Sequence, residues 1–417
     1  MSARRRYSSR GSLAGLFGGV QSLGLVILLF GLPFSEAAKS IGIAVAFAGH
    51  IAKLVVGRRP AYGERRVALA LLAFCVAGVL SVALAAPEHR HPRELLTLGM
   101  TVAPFFLVAD ACARPSRKLF LALAAVAGGA AAAFLGFGEH MAGIHHRAVL
   151  GSIENAIPAA EYLGAVVPLA VALMLEEMAA PLAGPLLGLA AGAATIMFIM
   201  TKSRGPLPGA ITGLSMAVGM SLRRWRHGIL TGVVCWVAFA LFIILNPASR
   251  AAQALEPGAR DSGSRLYTWQ VTAGLIAERP VTGHGLGSFP GLEVLYVDEE
   301  ITIHQRNAHN AALQVACDTG ALGAGSLLVF LVLGLVGVLR RARAAKGLDR
   351  AVSLGALGGA VTLLLAGAFS VSIDAEPGIL LFSLVALGSA SGAGAAGASA
   401  GGNERRQNDV RQVSGVP

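Results

Sequence analysis

Apolar residues run through this chain in blocks about as long as a bilayer is thick, and polar residues gather between the blocks rather than alternating within them. A hydrocarbon core needs about 20 apolar residues per helix. Stretches near that length occur at 12–34, 38–57, 67–86, 94–111, 118–138, 160–178, 182–200, 206–222, 228–246, 311–339, 351–373 and 377–393. The pattern predicts an all-α polytopic membrane protein of about 12 transmembrane helices. Edges are weak in the Ala/Gly-rich block 118–138, and block 206–222 is short. The first block follows Arg4, Arg5 and Arg6 as a secretory signal would, but it is longer than a signal's apolar core and leads into further blocks. It is read as an uncleaved first helix.

Composition agrees and removes other classes. With 55% apolar and 14% charged residues and a mean hydropathy of +0.66, the chain is far from a soluble domain. Cys75, Cys112, Cys235 and Cys317 stand singly in or beside apolar runs without C-x-x-C spacing, which reads as packing rather than metal or redox chemistry.

Lys and Arg near span ends stay on the cytoplasmic side. With the N-terminus inside, the inner segments hold Arg4 to Arg10, Arg58 to Arg66, Arg114 to Lys118, Arg223 to Arg226, Arg340 to Arg350 and the basic tail. Both termini are then cytoplasmic. The net charge of +11 is mostly this belt facing anionic membrane lipids, and nucleic acid is not needed. The chain divides into N-terminal helices (1–245), one large periplasmic loop with short helices (246–309), C-terminal helices (310–393) and a disordered cytoplasmic tail (394–417).

The outer segments are chemically distinct, holding His89, His91, His140, His145, His146, His284, His304 and His309. Within the large loop, SRLYTWQVTAGLIAERP reads as a helix with Leu266, Trp269, Ala273 and Ile276 on one face suited to the membrane surface. Pro280 and the glycines of GHGLGSF end it and turn the loop back. GHGLGS is no dinucleotide fingerprint, since Ser288 replaces the third glycine and no strand precedes it. His140, His145 and His146 have no carboxylate-rich surroundings that would make them metal ligands.

Four elements fall in order on one side of the membrane: Ser203-Arg204-Gly205 at a helix mouth, Ser264-Arg265 with Trp269, the P-x-x-G-x-G-x-G-x-F run from Pro280 to Phe289, and His309-Asn310 followed by Gly320. This arrangement resembles the O-antigen ligase and Wzy-type polymerase superfamily. The hydropathy layout is similar over most of the chain, and the motifs occupy about 120 residues of it. The resemblance implies transfer of a glycan from undecaprenyl diphosphate to a sugar hydroxyl on the periplasmic face, with no cofactor and no metal. The acceptor is another repeat unit for a polymerase of O-antigen or exopolysaccharide, the reading favoured here, and a lipid A core sugar or a protein for a ligase. A polysaccharide export machinery is a candidate partner.

The residue types suit that chemistry. Cleavage of the anomeric C–O bond builds charge on a diphosphate, which guanidinium forks hold bidentately, making Arg204 and Arg265 the candidate clamp. The acceptor hydroxyl must lose a proton, and His309 is the candidate base. Arg306, Asn310, Asp374, Trp269 and His284 are candidate substrate-binding residues, with Asp374 or Asn310 placed to orient His309. Each has a plainer alternative. Arg204 could snorkel, although TKSRGP sits where positive charge is disfavoured; Arg265 could pair with Asp261; His309 could cap its own helix. The rival class is a transporter, against which stand the lack of repeated halves and the scarcity of charge inside the spans.

Overall fold

The computed structural model describes residues 2–144, 150, 153, 155–176, 181–245, 260–292, 294–298, 301–371, 373 and 375–390. Asp374, His145, His146, residues 246–259 and the tail lie outside the described residues. The protein is a multi-pass helical bundle. Its helices are α1 (Ser2–Gly31), α2 (Glu36–Val55), α3 (Arg65–Leu84), α4 (Arg93–Ala111), α5 (Pro115–Met141), α6 (Ala156–Glu176), α7 (Ala183–Met200), α8 (Leu207–Ser221), α9 (Trp225–Leu245), α10 (Arg260–Glu278), α11 (Ala311–Ala344), α12 (Gly347–Ala366) and α13 (Ala375–Ser389). Between α10 and α11 lies an antiparallel hairpin, β1 (Leu295–Asp298) and β2 (Ile301–His304), with Leu295 opposite His304.

A helix lies on each of the twelve apolar blocks. Among the described residues, nine helices are long and apolar enough to cross a membrane, namely α1 to α7, α11 and α12. With 15 residues each, α8 and α13 rise only about 22 Å, less than the ~30 Å hydrocarbon thickness. The shortness of block 206–222 has the same origin, because Pro206 caps the start of α8 and the Arg223-Arg224 turn follows its end.

Two helices form the centre. Most of α6 and α12 is buried, and their crossing is backbone to backbone. A Cβ on Gly355 would stand 2.5 Å from Leu169 Cα, and one on Gly359 the same distance from Ala165 O. On its other side α12 receives α8, where a Cβ on Gly209 or Gly213 would stand 2.3 or 2.2 Å from the carbonyl oxygens of Thr362 and Gly358. Small residues let helices approach this closely in lipid, where association relies on packing rather than on expulsion of water. The α7–α8 turn is thereby fixed relative to the end of α12.

The loop helix also has a side packed on protein. Thr268 and Thr272 are fully buried, and α10 presents Val271, Leu275 and Ile276 to a small core of Phe289, Val294, Ala308 and Cys317, while Leu266, on the face read as suited to the membrane surface, is 57% exposed. The buried stripe contains threonines, whose polarity hides it in the sequence.

Buried charge gathers near the ends of the helices. At the end of the bundle away from His309, Asp110 accepts from Gln21 Nε2 (3.1 Å) and the Ala61 amide (3.0 Å), lies 2.9 Å from His50 Nδ1, and pairs with Lys53. At the same end Lys118 pairs with Asp349 at 2.6 Å. Burial pushes the thiol of Cys112, just beyond α4, up to about 12, consistent with an inert packing cysteine. Asp110→Ala would strand Lys53 and the other donors in an apolar setting, an expected loss of about 3–5 kcal/mol. A lower melting temperature of the detergent-solubilised variant is the measurement; an unchanged one would show that the network contributes nothing.

Candidate functional site

Two interruptions in helical regularity build the site. The first is inside α11, where Gly320 has φ 62° and ψ −165° and breaks the helix into two parts. Backbone groups freed by this break are taken up by the loop after α10. Ala321 N–H donates to Pro280 O (2.8 Å), while His284 N–H and Gly285 N–H donate to the carbonyls of Cys317 (2.8 Å) and Asp318 (3.0 Å). Contact is so close that a Cβ on Gly320 would stand 2.3 Å from Val281 C, and one on Gly283 (φ 70°) 2.5 Å from Asp318 C. The glycine run and the glycine ten residues after Asn310 are therefore two halves of one joint. His284 is 5% exposed, and its Nε2 lies 2.8 Å from Leu275 O. Its side chain thus ties α10 to the joint.

The second interruption is at the start of α11. Asn310 is the N-cap, its Oδ1 accepting from Leu313 N–H at 3.0 Å, as a cap residue should. Its other amide atom, Nδ2, donates to Ala368 O at 3.1 Å, and Ala311 N–H donates to Gly367 O at 2.7 Å. The helix mouth is thus fastened to the C-terminal turn of α12. Asn307 Oδ1 accepts from His309 N–H (3.1 Å), and the Ala308 amide donates to Gln314 Oε1 (2.8 Å). Between these bonds His309 is held half-buried at φ 50°. Lys202 and Arg223 share this conformation but follow the ends of α7 and α8, where left-handed residues are common. His309 precedes an N-cap, so helix termination does not explain it, and such outliers gather at functional sites.

Arg204 lies in the turn between α7 and α8 and is half-buried. Ser203 Oγ donates to Ala156 O at the start of α6 (2.9 Å), and a Cβ on Gly205 would stand 3.2 Å from Phe369 Cβ. The α12 turn that receives Asn310 and Ala311 therefore also touches the Ser203-Arg204-Gly205 turn. Arg204, His309 and Asn310 share one end of the bundle. Arg265 is half-buried on α10, which packs along α11; Trp269, one turn on, is half-buried with Nε1 enclosed. Arg306 is exposed in the bend before His309. A groove of about 530 Å³ between α8 and α9, walled by Met216, Met220, Trp225 and Trp236, contains none of these residues.

Sequence reasoning passed over Glu161 and Ser370. Glu161, on α6, is 1% exposed and accepts from Ser370 Oγ. Its signal was a lone carboxylate at the start of an apolar block, a placement that marks function by default in a membrane.

Replacing Gly320 by Ala would force a side chain into the left-handed region and against Val281. The expected loss is at least about 2 kcal/mol, accompanied by faster amide exchange across residues 280–285. Unchanged exchange there would separate the glycine from the docking of the loop.

The structural observations are joined by a sequence comparison. Residues 189–328 match the family model described as O-antigen ligase, a segment reaching from α7 into α11. No curated protein matches the chain. The match takes in Arg204, Arg265, the glycine joint, His309 and Asn310, and leaves out α6, α12 and α13. Over residues 189–328, about a third of its length, this multi-pass helical protein is similar to the O-antigen ligase family.

Proposed function

We propose that the protein is a periplasm-facing glycosyltransferase that moves a glycan from undecaprenyl diphosphate to a sugar hydroxyl, polymerising repeat units of a surface polysaccharide. The observation that carries this reading is the meeting of the Arg204 turn and the His309–Asn310 helix mouth on a single turn of α12. That arrangement supports a reading in which Arg204 serves the leaving group and His309 the nucleophile.

In the proposed reaction the acceptor oxygen attacks the anomeric carbon from the face opposite the diphosphate, inverting its configuration. Arg204 and Arg265 take up the charge that the diphosphate gains as the C–O bond breaks, with Arg306 adding to the field. A ring nitrogen of His309 removes the acceptor proton as the new C–O bond forms. Asn310 and, from the segment before α13, Asp374 orient the histidine. Trp269 offers an apolar wall for sugar or lipid. His284 is better assigned to the joint than to substrate. No metal takes part in this scheme.

The accompanying topology has twelve spans, both termini in the cytoplasm of a bacterial inner membrane, and residues 246–309 as a periplasmic loop between 1–245 and 310–393. It rests on the distribution of Lys and Arg. The matched description, O-antigen ligase, favours a second reading in which the acceptor is a lipid A core sugar or a protein.

The test uses purified protein in liposomes, an undecaprenyl-diphosphate-linked glycan and EDTA, with products resolved by gel and mass spectrometry. A ladder of longer lipid-linked chains is expected from wild type. His309→Ala should lower the transfer rate by about 10²- to 10⁴-fold while donor binding persists. Arg204→Lys should weaken donor binding, because an ammonium lacks the bidentate fork. Product appearing only with a lipid A core or protein acceptor would replace the polymerase by a ligase. Full activity in His309→Ala would remove the base, and no transfer to any acceptor would shift the assignment to a transporter.

A further inference from the structure

We infer that Glu161 is a positioning residue that holds His309 in register with Arg204 from the far side of α12; as a role in catalysis, this rests on the glycosyl-transfer reading above. Glu161 lies outside the segment that matches the O-antigen ligase family. So does its partner Ser370, 209 residues away in sequence.

The connection can be followed bond by bond. Ser370 Oγ donates to Glu161 Oε1 and has Ala366 O as its alternative acceptor at 3.1 Å. A carboxylate is the stronger acceptor of the two, so the turn leaving α12 is drawn onto α6. Residues 367 and 368 of that turn supply the carbonyls that receive Ala311 N–H and Asn310 Nδ2. His309 is the next residue. One and a half turns before Glu161 on the same helix, Ala156 O receives Ser203 Oγ and so anchors the turn bearing Arg204. Thus α6 holds both candidate catalytic segments, one through its own backbone and the other through Glu161.

A carboxylate so fully enclosed in a membrane bundle is costly, and an apolar residue would pack there as well. Its placement therefore needs a reason. Other buried acids show the contrast. Asp110 joins helices at the end away from His309, Glu376 pairs with Lys39, and Asp318 accepts from Gln314 Nε2 within its own helix, whereas Glu161 ends on the turn of another helix, the one that receives the His309–Asn310 mouth. The expected consequence is selective. Without Glu161 the Ser203 anchor remains, so donor recognition by Arg204 survives while the base loses its position.

The experiment compares Glu161→Leu, Glu161→Gln and Ser370→Ala in liposomes with wild type. It measures steady-state transfer from an undecaprenyl-diphosphate-linked glycan together with hydrogen–deuterium exchange of residues 308–313. Glu161→Leu should lower kcat at least tenfold, leave the donor KM within about threefold, and speed exchange at 308–313. Glu161→Gln keeps a carbonyl acceptor and should restore most of both properties. Ser370→Ala should resemble Glu161→Leu, and the two together should be no worse than either alone. Unchanged exchange in both Glu161→Leu and Ser370→Ala would overturn the proposal, as would unchanged kcat per folded molecule. Faster exchange in the variants, with a wild type that transfers nothing, would uphold the link to His309 and remove the glycosyl-transfer reading instead.

Discussion

Hydrocarbon offers no hydrogen bonds, so every backbone amide and carbonyl of a membrane protein must find its partner within the protein. That constraint makes straight helices the default and turns any break in a helix into a debt elsewhere in the chain. The break at Gly320 in α11 is such a case. Its freed groups are satisfied only because the loop from Pro280 to Gly285 folds into the gap. The loop cannot dock without the break, and the break is not tolerable without the loop. Because His284 also ties this joint to α10, the placement of Arg265 depends on it as well.

The same constraint governs the helix ends near His309. An N-terminus leaves several amides unpaired, and here Asn310 satisfies one with its own side chain while Gly367 supplies the carbonyl for another. Capping and tertiary packing are thus a single arrangement. Its by-product is a histidine with little conformational freedom, since its own amide is bonded to Asn307 and the following residues are fixed on α12. Keeping a left-handed histidine costs roughly 1–2 kcal/mol. The surrounding bonds offset that cost.

Much of the architecture was legible in the sequence because apolar block length is set directly by bilayer thickness. Every one of the twelve blocks carries a helix. The motif spacing was legible too, although its meaning was not: Gly320 reads as a mark ten residues after Asn310, and only the geometry relates it to Gly283. Three features were hidden for physical reasons. The buried face of α10 contains Thr268 and Thr272, whose polarity obscures a packed stripe. The charges around Asp110 come from α1, α2 and α4 and read as isolated residues until the helices cross. Glu161 and Ser370 are too far apart in sequence for any local pattern to pair them. The glycines at the α6, α8 and α12 crossings lower hydropathy and blur span edges, yet they permit backbone to pack against backbone.

The family match ends inside α11, and the physical unit does not. Arg204 is held through Ser203 by α6, and His309 through Asn310 and Ala311 by the end of α12. A segment containing only residues 189–328 would carry the charged and basic side chains but neither surface that sets the distance between them. In the proposed reaction, proton removal from an acceptor and charge neutralisation on a leaving group occur together around one carbon, and small misplacements are expensive in rate. The recognisable motif carries the family likeness, while the less patterned helices hold its parts relative to one another. In a bundle whose centre is packed backbone against backbone, those helices have little room to adjust. The same rigidity that conceals their contribution in sequence makes them suitable supports for the site.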